Sequence, residues 1–587
     1  MRAARWAAGA AFVTAWLVYQ ALLPFVLKAW AVTGDEPHYL LAAHSLVYDG
    51  DLDLADNYAN ADYAAFYAGG YLDPHVRGQP DGTQLISHDS GLVFLLALPY
   101  AWAGRAGVLQ FAILLGALLA AQMTLLGAEV SGRWWAGLLA ALALGLTAPL
   151  GLYVFQIYPE LAGGLAVTWC LRQVLGTAHW LAPSENPPAP SRGRTLLVAL
   201  ALAGLPWLSG RFAPLSVLLV GLAAWRTLAG PQRAPRSWLG ALTSAALASL
   251  GLYLVVNFAL YGGPTPSATP SGNAVLSGFR AIGGQQIGRG LIGWWLDQHR
   301  GLLVFGPALA LAFVGLPHVW RGRGLAGLAS FAPVAVMWGL ASAWGGFYSG
   351  WEVSARFLMV GVPALAGGLA AAMAGVTGRA RRLAFWPLAA GLVTLSATNL
   401  VVMALNPFVM LHQSPVALWE TATGRVWRQW FPAAGTRYVV QPPAGEWRAP
   451  QGQAGYLVQS PPIDALSLGW YVLVGQAQLT EAADPEAVAL SVDAYSSEAG
   501  LPLLRGEYRA RDADPVTGVV DLRIAFYNPY VDRWSYPFYL DVRATGAAAV
   551  RVSPLLFEPD PGPTYGVAAA WLAALLALSI VFAPPRK

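Results

Sequence analysis

A series of apolar runs constrains this chain more than any other feature. Each is close to the ~20 residues that an α-helix needs to cross the hydrocarbon of a bilayer. They fall near 7–32, 107–129, 134–156, 160–177, 195–208, 212–229, 238–261, 301–319, 325–344, 357–376, 383–405 and 564–583. Hydrophobic residues make up 56% of the chain and charged ones 11%, with 64 Gly and 25 Trp, a composition that suits membrane helices. The first run follows Arg2 and Arg5 and is too long for the core of a cleaved signal peptide, so it reads as a retained signal anchor. The stretch 90–104 is apolar but short, and it reads as an interfacial or re-entrant helix.

Basic residues test this threading, because loops on the cytoplasmic side carry an excess of Lys and Arg. With the N-terminus inside and 90–104 not spanning, the inside connections hold Arg133, Arg192 with Arg194, Arg233 with Arg236, Arg321 with Arg323, Arg379 with Arg381 and Arg382, and Arg586 with Lys587. Counting 90–104 as a span would put most of the later basic loops outside. About twelve spans with both termini inside is therefore the expectation. The outward pieces are then 33–91, 156–160, 209–211, 262–300, 345–356 and 406–562. Few charges fall within the helix cores, which argues against an ion-coupled transporter. The net charge of +4 comes from scattered basic residues and is no nucleic-acid footprint. A single cysteine, Cys170, rules out an internal disulfide and reads as a small buried hydrophobe.

Three domains follow: 1–405 as the membrane domain, 406–562 as an outer domain, and 563–587 as a last helix with its tail. The middle piece carries alternating runs such as Trp470–Leu479, Ala487–Tyr495 and Val519–Tyr527 and reads as a β-sandwich at about 430–560. Trp447, Tyr527, Tyr530, Trp534 and Tyr536 are candidates to stack on a carbohydrate, with core packing as the competing role.

Ten acids and one arginine crowd residues 34–91. Asp35 and Glu36 open the segment. Adjacent side chains diverge on a helix, so one can act as general base while the other positions a hydroxyl or a metal. Both can equally cap the helix that Pro37 begins. His88 and Asp89 can contact a polar substrate or a metal, or Asp89 and Ser90 can cap the next helix. Glu160, after Tyr158, starts a span. Arg211, Arg300 and Arg356 sit at the ends of spans on the outer side, against the charge rule, and suit an anionic partner such as a lipid phosphate, with snorkelling to ordinary headgroups or pairing with Glu352 or Asp297 as the competing role. Arg105, Arg280 and Arg289 fall outside too and weaken that contrast. Carboxylates that activate a nucleophile, beside arginines that receive a leaving phosphate, suit transfer of a group from a lipid phosphate to a hydroxyl.

Several stretches in order, Gly34-Asp-Glu-Pro-His-Tyr39, His88–Pro99, Ile157-Tyr-Pro-Glu160, Leu205–Phe212, Asp297–Pro307 and Ala355–Leu358, resemble the GT-C glycosyltransferases. That group includes the protein O-mannosyltransferases and the aminoarabinose transferases that act on lipid A. The resemblance covers residues 1 to about 405. It implies a polyprenyl-phosphate sugar donor, an acceptor hydroxyl on a glycan, lipid or protein, and an inverting displacement. Asp35 is then the base with Glu36 at its side. Arg211 and Arg356 match basic positions near the donor phosphate and Glu160 a second outer-loop acid; from their place at the outer rim, Arg300 joins the phosphate-binding set and His88, Asp89 and Tyr158 join Glu160 as substrate contacts. Ser209 stands where a His often occurs in related sequences. Some members use a divalent metal, Mg or Mn, for which Asp35, Glu36, His88 and Asp89 are the candidate ligands. The implied setting is a bacterial-type cytoplasmic membrane with the site outside, among membrane lipids and without nucleic acid. The alternatives are a ligase for a lipid-linked glycan and a non-catalytic protein that binds or flips lipid-linked sugar.

Overall fold

The computed structural model describes all residues except 182–189, 230–233, 267–283, 298–300, 344–354, 406–418, 420–421, 424–437, 442–445, 461–462, 464–468, 497–501, 529–537, 560 and 585–587. The described chain divides into two compact units, Met1–Trp295 with Arg300–Leu411 and Leu572–Lys587, and Leu296–His299 with His412–Trp571.

The first unit is helical. Among the described residues six helices are long and apolar enough to cross a membrane: Arg2–Ala29, Gly91–Ser131, Gly210–Leu228, Arg236–Tyr261, Leu316–Ala343 and Arg379–Leu405. Trp134–Gly145, Val362–Gly375 and Gly566–Val581 are shorter apolar helices. Exposed Leu, Val and Trp side chains stud the long helices, as lipid-facing surfaces require. Several apolar runs are interrupted. The helix Gly91–Ser131 breaks at Ala103 and Gly104, where φ reaches −154° and 54°. Gly324 breaks Leu316–Leu328 in the same way. The run 134–156 stops helically at Gly145 and resumes as the short turn Leu150–Tyr153.

Close helix contacts depend on small residues. At Gly91 an added Cβ would lie 2.4 Å from the Trp207 carbonyl oxygen, so glycine lets the start of one helix touch the end of Arg192–Leu208. The helix Glu36–Tyr48 packs against Gly91–Ser131, and His44 Nδ1 lies 3.1 Å from the Tyr100 hydroxyl. The basic ends gather as well. Arg323 donates to the Glu129, Val130 and Trp180 carbonyls. The end of the last helix meets basic side chains from two others: Arg321 donates to the Pro584 carbonyl, Arg381 donates to the Ala583 carbonyl at 2.8 Å, and His318 Nε2 lies 2.8 Å from the Phe582 oxygen.

The second unit is β-rich. One antiparallel sheet runs in the order Gly455–Gln459, Phe538–Ala544, Val488–Ser496, Pro502–Arg509. The other is built on Gly469–Thr480. That strand pairs with Val519–Asn528 on one edge, and with Leu555–Pro559 and Ala549–Val552 in succession on the other. Leu490, Val492, Leu540 and Val542 of the first sheet share a core with Leu473, Leu522, Val550 and Phe557 of the second. Alternation at every second residue produces those two inward faces. Trp447 belongs to this core, so it packs rather than stacking on a sugar. The side chain of Tyr527, and all of Tyr530, Trp534 and Tyr536, lie outside the described residues.

Candidate active site

The site begins where the first helix ends. Gly34 takes φ 58°, a left-handed turn that favours glycine. Asp35 then precedes the helix Glu36–Tyr48, and Pro37 sits in its first turn. Asp35 makes no side-chain capping bond. Its carboxylate turns instead to Arg356, which donates from Nη1 to Oδ2 at 2.6 Å. His88 Nε2 stands 3.8 Å from the other oxygen.

Glu36 has a different fate. It is 4% exposed, and its oxygens accept the backbone N–H groups of Ile157 at 2.7 Å and Thr33 at 3.2 Å. Burial pushes its carboxyl up to about 7, against those two donors. Glu36 therefore staples the first loop to the turn ahead of the helix Pro159–Leu175.

Glu160 lies in the first turn of Pro159–Leu175 and is 1% exposed. Its Oε1 accepts from Arg211 at 2.9 Å and from Arg356 Nε at 3.1 Å. Its Oε2 is buried with no hydrogen-bond partner among the described residues. Arg356 thus bridges two carboxylates, and Arg211 extends the series, giving the order Asp35, Arg356, Glu160, Arg211. The Arg356 guanidinium also lies 4.0 Å from the Tyr158 ring centroid, and Arg211 lies 4.1 Å from that of Phe357. Tyr158 donates to the Thr33 carbonyl at 3.3 Å. Ala355, just before Arg356, holds φ 53°, a left-handed conformation unfavourable for a residue with a Cβ. Burial raises the Asp35 carboxyl, but Arg356, with His88 and His75 beside it, outweighs burial and holds the group well below the usual carboxylate range.

Asp89 also points inward, but to another partner. Its oxygens accept the Tyr253 hydroxyl at 2.6 Å and the Gly210 N–H at 2.9 Å. Burial raises its carboxyl despite those bonds. Ser90 makes no capping bond either, so the capping role considered for this pair is not what the side chains do. Asp89 instead fixes the turn Gly210–Phe212 that carries Arg211. Ser209 accepts from Arg211 Nε at 3.2 Å, which gives it a place in the site although it is not a histidine.

Histidines complete the wall. The strands Val76–Gly78 and Gln84–Ile86 form an antiparallel hairpin. Just beyond it Ser87 donates its N–H and its hydroxyl to the His75 carbonyl, each at 2.9 Å. His75 Nδ1 then lies 3.4 Å from His88 Nε2. His38 stacks on His75 with centroids 3.9 Å apart and meets the Tyr58 hydroxyl at 2.7 Å. Burial drives His38 to about 3 and His88 to about 4, so both are neutral near pH 7.

Asp35, His75 and His88 each offer a ligand atom, all within 4.8 Å of one another. Two imidazoles and one carboxylate suit a borderline transition metal such as Zn better than Mg or Mn, which prefer oxygen. Of the four metal candidates read from the sequence, Asp35 and His88 fall in this cluster. Glu36 and Asp89 do not, because their oxygens are occupied by N–H and O–H donors elsewhere. Arg300 lies outside the described residues. Sequence reasoning missed His75 and His38. The signal for His75 was the Pro80-Asp81-Gly82 turn: read as a hairpin, it places residue 75 opposite 87.

No protein-family description matches the sequence, and no curated protein does. Among solved structures, the Archaeoglobus fulgidus oligosaccharyltransferase in its apo form is similar, with TM-score 0.39 and 14% identity over 68% of this chain and 56% of that one. The archaeal oligosaccharyltransferase AglB from the same organism, in complex with an inhibitory peptide and a dolichol-phosphate, gives TM-score 0.37 and 14% identity over 67% and 56%. The chain spans little more than half the length of either structure. Likeness at this level assigns neither fold nor activity, and the functional reading rests on the site itself.

Proposed function

We propose that this protein is a multi-pass membrane glycosyltransferase of GT-C type. On this reading it moves a sugar from a polyprenyl-phosphate donor to an acceptor hydroxyl at the outer face of a cytoplasmic membrane. The observation that carries the proposal is the bridging of Asp35 and Glu160 by Arg356, with Arg211 on the far side of Glu160. Asp35 is the carboxylate of this set with reactive character. It is 22% exposed on its side chain, whereas Glu160 and Glu36 are buried.

In the resting site Asp35 is clamped by Arg356 and is a poor proton acceptor, because its charged form is strongly favoured. A donor phosphate offers Arg356 and Arg211 a competing anion. Once Arg356 turns to it, Asp35 is left with burial and the histidines, and becomes the stronger base. The acceptor hydroxyl gives its proton to Asp35 as its oxygen bonds to the anomeric carbon. The bond from that carbon to the phosphate oxygen breaks, and polyprenyl phosphate leaves with the electron pair while the arginines stabilise its charge. Attack from the face opposite the phosphate inverts the configuration. Oε2 of Glu160, which has no hydrogen-bond partner among the described residues, would accept from a sugar hydroxyl. A divalent cation bound by Asp35, His75 and His88 would add positive charge near the departing phosphate.

Asp35→Asn tests the assignment in the purified full chain. General-base catalysis is worth about 100- to 10,000-fold, so transfer from a polyprenyl-phosphate sugar should fall by that much while the variant still binds polyprenyl phosphate. Transfer within a few-fold of the unaltered protein would sink the mechanism.

A further inference from the structure

Side chains alternate between the two faces of a strand, and the first sheet of the β-rich unit shows what that leaves outside. Leu490, Val492 and Ala494 of Val488–Ser496 are buried in the core with Leu540, Val542 and Ala544 of Phe538–Ala544. The residues between them point outward, and the register sets them in rows. Tyr539 is opposite Tyr495, Asp541 opposite Asp493, and Arg543 opposite Ser491. The flanking strands extend two of these rows: Arg505 lies opposite Asp493, and Tyr456 opposite Arg543.

The face therefore runs from an aromatic pair, through a carboxylate pair, to an arginine beside a third ring. The Tyr495 and Tyr539 rings are tilted by 23° with centroids 5.7 Å apart. Tyr456 is 54% exposed, and the Arg543 guanidinium stands 5.5 Å from its ring centroid. Between the two aromatic ends, Arg505 Nε donates to Asp493 at 2.8 Å and the Tyr495 hydroxyl donates to Asp541 at 3.2 Å. Tyr539 and Arg543 are four residues apart on one strand, about 14 Å.

Sheet stability accounts for part of this pattern. Cross-strand aromatic pairs and opposite-charge pairs such as Asp493 with Arg505 stabilise a sheet. Asp541 directly opposite Asp493 does the reverse, because like charges so placed are destabilising. Burial, with the Asp493 charge added to it, raises the Asp541 carboxyl against the Tyr495 bond.

The chemistry of the face selects an occupant. Arg505 lies beyond Asp493 in the same row, and Arg543 follows Asp541 two residues along, so a polycation and a polyanion would each meet like charge. Carboxylate oxygens only accept hydrogen bonds and guanidinium groups only donate them, whereas a hydroxyl does both. The rings at the two ends offer flat apolar surface to the C–H face of a pyranose. A reach of about 14 Å exceeds one such ring and calls for several in a chain.

We propose that this outer face binds a neutral oligosaccharide, with sugar rings against the tyrosines at its two ends and hydroxyls on the aspartates and arginines between them. These tyrosines differ from the aromatics that the sequence suggested for sugar stacking. The proposal stands whether or not the Asp35 site transfers sugar.

The test titrates the full chain in nanodiscs with a panel of labelled neutral hexasaccharides of mannose, glucose and galactose. Glucosamine and galacturonate hexamers are the cationic and anionic comparators. At least one neutral member should bind in preference to both comparators. Tyr456→Ala and Asp541→Asn should each weaken that binding about tenfold, while Tyr456→Phe, which keeps the ring, and Asp35→Asn leave it unchanged. Absence of binding to every neutral member, a preference for either comparator, or binding unmoved by Tyr456→Ala and Asp541→Asn would overturn the proposal. A loss in Tyr456→Phe as large as in Tyr456→Ala would overturn the stacking. Loss of binding on adding a chelator would replace direct hydroxyl contacts with a bridging cation and overturn it as well.

Discussion

Arg356→Gln separates the electrostatic role of the arginines from the basicity of Asp35. Arg356 is 9% exposed and bridges Asp35 at 2.6 Å and Glu160 at 3.1 Å. Removing one partner of a buried ion pair costs about 3–5 kcal/mol when it leaves an uncompensated charge. Here Glu160 keeps Arg211 at 2.9 Å, and Asp35 has access to water, so the loss should sit near about 3 kcal/mol, the lower end of that range. Arg211 is 34% exposed and makes one ion pair among the described residues, so Arg211→Gln should cost no more than about 1 kcal/mol. The two variants should therefore differ by about 2 kcal/mol in stability, taking both figures together. Donor affinity should behave otherwise. Each arginine would give the phosphate one charge-assisted hydrogen bond worth about 1.5–3 kcal/mol, which is roughly ten- to a hundredfold in Kd. Both variants should then bind polyprenyl phosphate more weakly by similar factors, while Asp35→Asn binds it undiminished. Chemical unfolding and titration of polyprenyl phosphate in nanodiscs provide the two readouts. If Arg356→Gln bound the lipid phosphate as tightly as the unaltered protein and were no less stable than Arg211→Gln, the bridging role and the phosphate role would both be refuted.

The Asp35, His75 and His88 cluster makes a separate prediction: Zn should bind at one per chain by elemental analysis, and His75→Ala should abolish that binding while Glu36→Gln and Asp89→Asn leave it in place. Binding that survives His75→Ala would rule the cluster out. Gly210→Ala would put a Cβ 2.6 Å from the Tyr253 hydroxyl. It should break the Tyr253–Asp89 bond and lower transfer at least tenfold with the fold intact by circular dichroism; an unchanged rate would show that Asp89 does not position Arg211. Gly315→Ala meets the Gly368 carbonyl oxygen at 1.8 Å, an overpacked helix contact that should cost about 1–3 kcal/mol and show as a lower unfolding midpoint.

Hydropathy gave access to much of the helical unit, because a bilayer forces every backbone polar group to be satisfied within a helix and so demands long apolar runs. It could not show where runs break. Gly104 and Gly324 take φ of 54° and 58°, and glycine alone in an apolar run does not announce a kink, since glycines are common in membrane helices. The β-rich unit was legible through period-two alternation, but alternation does not say which aromatics face inward. Trp447 went to the core for that reason.

The candidate site divides along a similar line. Asp35 and Glu36 are neighbours of like charge, and no local rule assigns them different work. What separates them is a turn 121 residues away, whose Ile157 N–H captures Glu36. Likewise the partner of Asp35 lies 321 residues along the chain. Sequence order put Arg356 and Arg211 at the ends of spans and suited them to a phosphate, with nearby acids such as Glu352 or Asp297 as the competing partners. In the folded chain they are already held by acids, and that changes the chemistry expected of them. On the proposed function, a donor phosphate would have to win Arg356 from Asp35 before it is bound, which would make donor binding and the release of the base one event. An acceptor hydroxyl arriving without a donor finds Asp35 clamped and unreactive. Such a coupling would guard the site against idle proton transfer, and it would follow from the Asp35–Arg356–Glu160 bridge rather than from any one of its residues.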